Sequence, residues 1–114
     1  MWQEIAALDL LIEKRSLSFV LARKEGNFSG FCVWDGQQVW AYYNRCPHTG
    51  VELNWRPDLF LNYDSSAIQC SLHGALFEIS TGRCLYGPCL GDSLQPITVV
   101  IRDQRVWVNG ENLL

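Results

Sequence analysis

The feature that most restricts how this chain can fold is a pair of Cys/His segments set well apart. The first is Cys46-Pro47-His48-Thr49-Gly50 and the second is Cys70-Ser71-Leu72-His73-Gly74. The chain has only two histidines, and both lie here. Each segment follows an apolar run and closes on a glycine, which accepts the positive φ of a sharp turn. Brought together, the two loops present two thiolates and two imidazoles around one volume. The fold must therefore return the chain to neighbouring turns, with both segments on loops.

The remainder reads as short strands between turns. Leu17 to Arg23 is apolar and partly β-branched, and Glu25 to Gly30 carries a turn signal. Two aromatic-rich arms flank Asp35-Gly36, which predicts a hairpin. Ile97 to Ile101 and Arg105 to Val108 repeat the pattern around Asp103-Gln104, with Asn109-Gly110 ending the second arm. Glu4 to Glu13 suits either a short helix, since Ile5, Leu8 and Ile12 stand three to four apart, or a first strand plus a turn. Val51 to Ser66 is the least regular stretch, with a turn at Trp55-Arg56-Pro57-Asp58 and a short strand or helical turn in Leu59 to Tyr63. The expected class is all-β, an antiparallel sandwich or barrel.

Composition narrows the function. The chain has 114 residues, enough for one domain and one core, and 48% of them are hydrophobic. The formal net charge is −3, from 9 basic and 12 acidic residues, and no basic run stands out, which argues against nucleic acid as a partner. No apolar run reaches the roughly 18 to 20 residues needed to span a bilayer. The start lacks a basic leader region, so the expected location is the cytoplasm, away from membranes. There, five cysteines are thiols or metal ligands rather than a disulfide framework.

Three uses of the Cys/His pairs compete. Four unrelated core or loop residues would not account for paired boxes that take up every histidine. A structural Cys₂His₂ zinc module accepts these ligand types, but finger-like sites group cysteines before histidines, and here they interleave. In a [2Fe–2S] cluster of the Rieske type two histidines replace two cysteines on one iron, and the interleaving has a reason. Each loop then gives one sulfur to one iron and one nitrogen to the other.

With "CPHTG" and "CSLHGALF" as they stand, the chain resembles the Rieske ferredoxin family. The stretch "LYGPCLGDSLQPITVVI" is similar to that family's proline-bearing third loop and following strands. The resemblance implies a Rieske-like antiparallel β fold over residues 1–114, with a smaller cluster-binding subdomain at about 44–90. It implies one [2Fe-2S] cluster, with Cys46 and Cys70 on the inner iron and His48 and His73 on the outer one. It further implies a one-electron carrier, not an enzyme, working between a reductase and an oxygenase or other redox enzyme. A redox-sensing or accessory domain with the same cluster is the alternative. The Thr49 to Gln69 spacer is longer than usual in the family. Val51, Leu72 and Ala75 occupy places where the bc-complex branch has two cysteines and a serine, so the soluble branch is the better match.

Histidine ligation changes the charge. Two ferric ions, two sulfides, two thiolates and two neutral imidazoles sum to zero, whereas a four-cysteine cluster is a dianion. The neutral core takes an electron more readily, which places Rieske centres at roughly −150 to +300 mV against about −400 mV for plant-type ferredoxins. Ala75 in the serine position predicts the lower part of that window. An electron is expected to leave through His48 or His73, and loss of a proton from either ring would lower the potential at alkaline pH. A mononuclear oxygenase iron requires two histidines and a carboxylate, and no histidine is left over for one. Cys84 and Cys89 are expected to be small thiols packed beside the cluster, with a local disulfide or alternative ligation as the other readings. Cys32 reads as a buried strand residue. The five tryptophans read mainly as core, with Trp55 divided between core and docking surface.

Overall fold

A computed structural model describes residues 2–47, 50–54, 56–71 and 74–110. In chain order the elements are β1 (Trp2–Ala7), α1 (Leu8–Lys14), β2 (Ser16–Arg23), β3 (Gly26–Trp34), β4 (Val39–Tyr43), β5 (Ile68–Gln69), β6 (Leu76–Phe77), β7 (Cys84–Tyr86), β8 (Thr98–Arg102) and β9 (Arg105–Asn109). They make three antiparallel three-stranded sheets, ordered β1-β9-β8, β2-β3-β4 and β5-β6-β7. The architecture is a layered one, and no sheet closes into a barrel among the described residues.

The middle sheet is the wall between two cores. Side chains alternate across a strand, and here both faces are covered. Phe31 and Val33 of β3 and Tyr42 of β4 enter one core, with Phe60, Ile68, Phe77 and Leu94. Cys32, Ala41 and Tyr43 enter the other, with Leu11, Leu17, Leu21, Ile97, Val106 and Val108. A strand buried on both faces reads as a continuous apolar run rather than an alternating one, which accounts for "FCV" and "AYY". Gly30 sits in β3 because a Cβ there would stand 2.7 Å from the Phe19 ring.

Several expectations need adjusting. The first segment is both of its alternatives in succession, a strand and then a helix of two turns ending at Arg15 (φ 74°), whose N–H bonds the Leu11 carbonyl. The Glu25 to Gly30 turn is shorter than predicted: Gly26 onward is strand, because Asn27 to Gly30 pair in register with Phe19 to Ala22. The Asp35-Gly36 hairpin forms, with Asp35 Oδ1 accepting the N–H groups of Gln37 and Gln38 at 2.8 Å each. The Asp103-Gln104 turn places both residues at positive φ, 53° and 63°, as a twist-matched two-residue hairpin requires.

The spacer is better ordered than its composition suggests. Phe60 stacks on Phe31 with centroids 4.3 Å apart and planes 6° apart. Asp58 Oδ1 accepts from both the N–H and the hydroxyl of Ser18, at 2.7 and 2.8 Å. Beyond it, Leu61 bridges Ile68 and the Asn62 carboxamide closes the turn on Ser66 and Ala67. Tyr63 projects into solvent at the tip. The described tryptophans are not fully buried: Trp2 is exposed, and Trp34, Trp40 and Trp107 are half-buried, with Trp40 packed against the edge of one core and Trp34 against the edge of the other.

Candidate metal centre

The first box leaves β4 and the second leaves β5. Cys46 and Cys70 are both buried, and both belong to the core beneath β5-β6-β7. The two loops share one hydrogen-bond plan. Cys46 N–H donates to the Val51 carbonyl at 2.7 Å, and Gly50 N–H donates to the Cys46 carbonyl at 2.7 Å. Cys70 N–H donates to the Ala75 carbonyl at 2.9 Å, and Gly74 N–H donates to the Cys70 carbonyl at 2.9 Å. Gly50 and Gly74 have φ of 78° and 69°, and a Cβ there would make only ordinary contacts, with the Arg45 guanidinium at 3.7 Å and the Gln69 amide at 4.0 Å, so the turn rather than crowding requires glycine. Each glycine stands four places after its cysteine. The loops thus match at Cys and Gly, while the histidine is two places on in one and three in the other.

A relay ties the boxes together. Asn44 is buried just ahead of the first box, and its side-chain oxygen accepts the Leu53 N–H at 2.8 Å. Its Nδ2 donates to Asn54 Oδ1 at 2.8 Å and to Ser29 Oγ at 3.2 Å. The Leu53 carbonyl in turn accepts the Ser71 N–H at 2.8 Å and the Ser71 hydroxyl. Leu53, wholly buried, therefore bonds the residue two places ahead of the first box through its N–H and the second box through its carbonyl. Sequence reasoning missed Asn44, Leu53 and Ser71. The asparagine at the end of an apolar strand, two places ahead of the first box, was the available signal, since an amide buried there needs partners.

The third loop packs against Ala75, the residue just past the second box. Cys84 N–H donates to the Asp92 carbonyl at 3.0 Å and Asp92 N–H to the Cys89 carbonyl at 2.9 Å. Between them Gly87, at φ 110°, packs so tightly that a Cβ would lie 2.9 Å from Ala75 Cβ and 3.0 Å from its Cα. The Cys84 and Cys89 sulfurs stand 2.7 Å apart. Burial, then the neighbouring Cys84 sulfur, pushes the Cys89 thiol up to about 12. Burial likewise pushes Cys32 up to about 12, and this thiol lies in the other core, as expected of an inert strand residue.

His48, His73 and Trp55 lie outside the described residues, as does Leu72. Among the described residues no three His, Cys, Asp or Glu groups converge, so the described part of the proposed donor set is Cys46 and Cys70. These two suit a cluster by their chemistry. Thiolates are the sulfur ligands an iron–sulfur centre takes, and a buried thiol is inert unless a metal or a cation draws its proton away. Both sulfurs sit at the base of matched loops in one core.

A small layered β domain with paired Cys/His loops and a closing third loop defines an iron–sulfur-binding domain. The chain belongs to the Rieske [2Fe-2S] domain family, which matches residues 2–105, and its cofactor is a Rieske-type [2Fe–2S] cluster. It is 28% identical over 97 residues to Oxidoreductase NdmD of Pseudomonas putida, covering 83% of this chain and 15% of that protein. The chain thus spans a small part of that relative's length. The complex of reduced oxygenase and oxidized ferredoxin in carbazole 1,9a-dioxygenase contains a chain of the same fold, with TM-score 0.75, 23% identity and coverage of 99% of this chain and 96% of that one. The ferredoxin of carbazole 1,9a-dioxygenase from Nocardioides aromaticivorans IC177 is similar to the same degree, with TM-score 0.74, 24% identity and coverage of 97% and 99%.

Proposed function

We propose that this chain is a one-electron carrier that takes electrons from a reductase and delivers them to an oxygenase or another redox enzyme. When bound, the cluster accepts and releases one electron at a time. Cys46 and Cys70 are the thiolate ligands in this reading, His48 and His73 the imidazole ligands, and residues 44–90 or so the cluster-binding part of one domain. The observation that carries it is the matched pair of loops, each with a buried cysteine at its base, joined through both polar groups of Leu53. Fixing the loops in this way limits rearrangement between redox states, which is what a carrier needs.

The acceptor is proposed from the oxygenase–ferredoxin complex among the similar structures. A docking surface is at hand: Leu85, Tyr86 and Leu90 are exposed on and beside the third loop, and Val51 is exposed on the first. The carrier is read as having no activity of its own, because both histidines are assigned to the cluster. A cytoplasmic setting goes with this reading. Among the described residues no helix is long and apolar enough to cross a membrane. The similarity to a short part of NdmD favours one second reading, a cluster module within a larger oxidoreductase.

Electron paramagnetic resonance of the dithionite-reduced protein tests the ligand set. Mixed nitrogen and sulfur ligation gives a lower average g-value than four cysteines, and His48→Cys or His73→Cys should raise it. A wild-type spectrum of the all-cysteine kind would overturn the assignment. Reversible transfer to an oxygenase component, followed by stopped-flow absorbance, separates the carrier from a sensing domain.

A further inference from the structure

Four of the five cysteines share one buried core, yet the proposed ligand set uses only two of them. Cys84 and Cys89 are thiols five residues apart, and the loop between them is already folded back on itself. Its neck is closed by the Cys84–Asp92 and Asp92–Cys89 backbone bonds. Its turn is set by Gly87 at positive φ and by the fixed φ of Pro88. The two sulfurs, 2.7 Å apart, are inside the nonbonded contact distance of sulfur. A disulfide at about 2.05 Å is therefore roughly 0.7 Å of movement away. Nothing in electron carriage by the cluster requires this pair.

We propose that Cys84 and Cys89 form a reversible dithiol–disulfide couple that fastens the third loop against Ala75, just past the second Cys/His box. The oxidant is a low-molecular-weight disulfide of the glutathione class. One cysteine thiolate attacks a sulfur of that disulfide, breaks its S–S bond and releases one small thiol. The second cysteine attacks the resulting mixed disulfide, forms the Cys84–Cys89 bond and releases the other. Two electrons and two protons pass from the pair to the small disulfide, which leaves as two thiols, and the cluster gains and loses nothing. Both cysteines are buried, so exchange proceeds through opening of the loop, whose Leu90 is already exposed. Once formed, the bond makes that opening rarer, so that reduction, which needs it too, is slower than oxidation. Potential and access then set which form is present.

The test equilibrates the cluster-loaded protein with graded mixtures of reduced and oxidised glutathione, quenches with acid, unfolds it in alkylating reagent and weighs it. Five adducts are expected at the reducing end, for the five cysteines, and about three at the oxidising end. The peptide holding Cys84 and Cys89 should then be two hydrogens lighter. Cys32→Ala keeps the loss of two adducts, and Cys84→Ser abolishes the internal link. Five adducts at every mixture, or a link that includes Cys46 or Cys70, would overturn the proposal. Hydrogen exchange reads the fastening: amides of residues 85–91 should slow by roughly tenfold or more in the disulfide form, and equal rates in the two forms would refute it. Resonance of the same samples reports the cluster separately, so failure here is distinguishable from failure of the ligand assignment.

Discussion

Replacing Asn44 with alanine cuts the relay between the two boxes at its first step. The Leu53 N–H, in a residue with no exposed surface, loses its acceptor. Leaving a buried donor unsatisfied costs about 1–3 kcal/mol. The two bonds made by Asn44 Nδ2, to Asn54 and Ser29, each contribute about 0.5–1.5 kcal/mol when buried and less at half-buried partners. Together the change should destabilise the fold by about 2–4 kcal/mol. With a urea slope of about 2 kcal/mol/M, the unfolding midpoint drops by roughly 1–2 M. Circular dichroism and visible absorption of the loaded protein, followed through a urea series, measure it. Asn54→Ala spares the Leu53 bond and should cost about 1 kcal/mol or less. Ser71→Ala removes the hydroxyl at the other end of the relay, and combined with Asn44→Ala it should show a coupling above about 0.5 kcal/mol, because both act through Leu53. Additive effects, or an Asn44→Ala midpoint within about 0.3 M of wild type, would refute the relay.

Three further outcomes are expected. Gly87→Ala forces a Cβ to within 2.9 Å of Ala75 at a φ of 110°, so it should lift the third loop, destabilise by about 1–3 kcal/mol and speed bleaching of the cluster absorption. Ala75→Ser adds a donor beside the second box and should raise the reduction potential from the lower part of the roughly −150 to +300 mV window, as read by film voltammetry; no shift would remove Ala75 as its cause. Burial alone would raise the Asp35 carboxyl, but hydrogen bonds from Trp40, Gln38 and Gln37 outweigh it and hold the group below its ordinary 3.8. A depressed folded value means that its contribution is fully present above pH 3.8 and lost as pH falls through the folded value. The stability gap between wild type and Asp35→Asn should therefore close on acidification, and a gap that widens would contradict this.

Much of the fold was legible where local rules decide. The β3–β4 and β8–β9 hairpins follow from Asp35-Gly36 and Asp103-Gln104, and the two boxes follow from residues that have few other uses. The spacer was not legible, because its order comes from distant partners. Phe60 finds Phe31, and Asp58 finds Ser16 and Ser18, across gaps no local pattern reveals. The first segment divided between strand and helix because β1 owes its form to β9, at the opposite end of the chain. The match of the boxes at glycine rather than at histidine needed the backbone bonds themselves.

Leu53 and Ser71 are bonded to each other, yet eighteen positions separate them. The intervening chain is an excursion that leaves one ligand loop's foundation and comes back to the other's. Closing a longer excursion adds only the logarithm of its length to the entropic cost, about 0.6 kcal/mol for each doubling. The spacer can therefore serve as a graft site: a foreign peptide spliced at the solvent-facing Tyr63 tip would leave the two footings, and the metal chemistry above them, where they are.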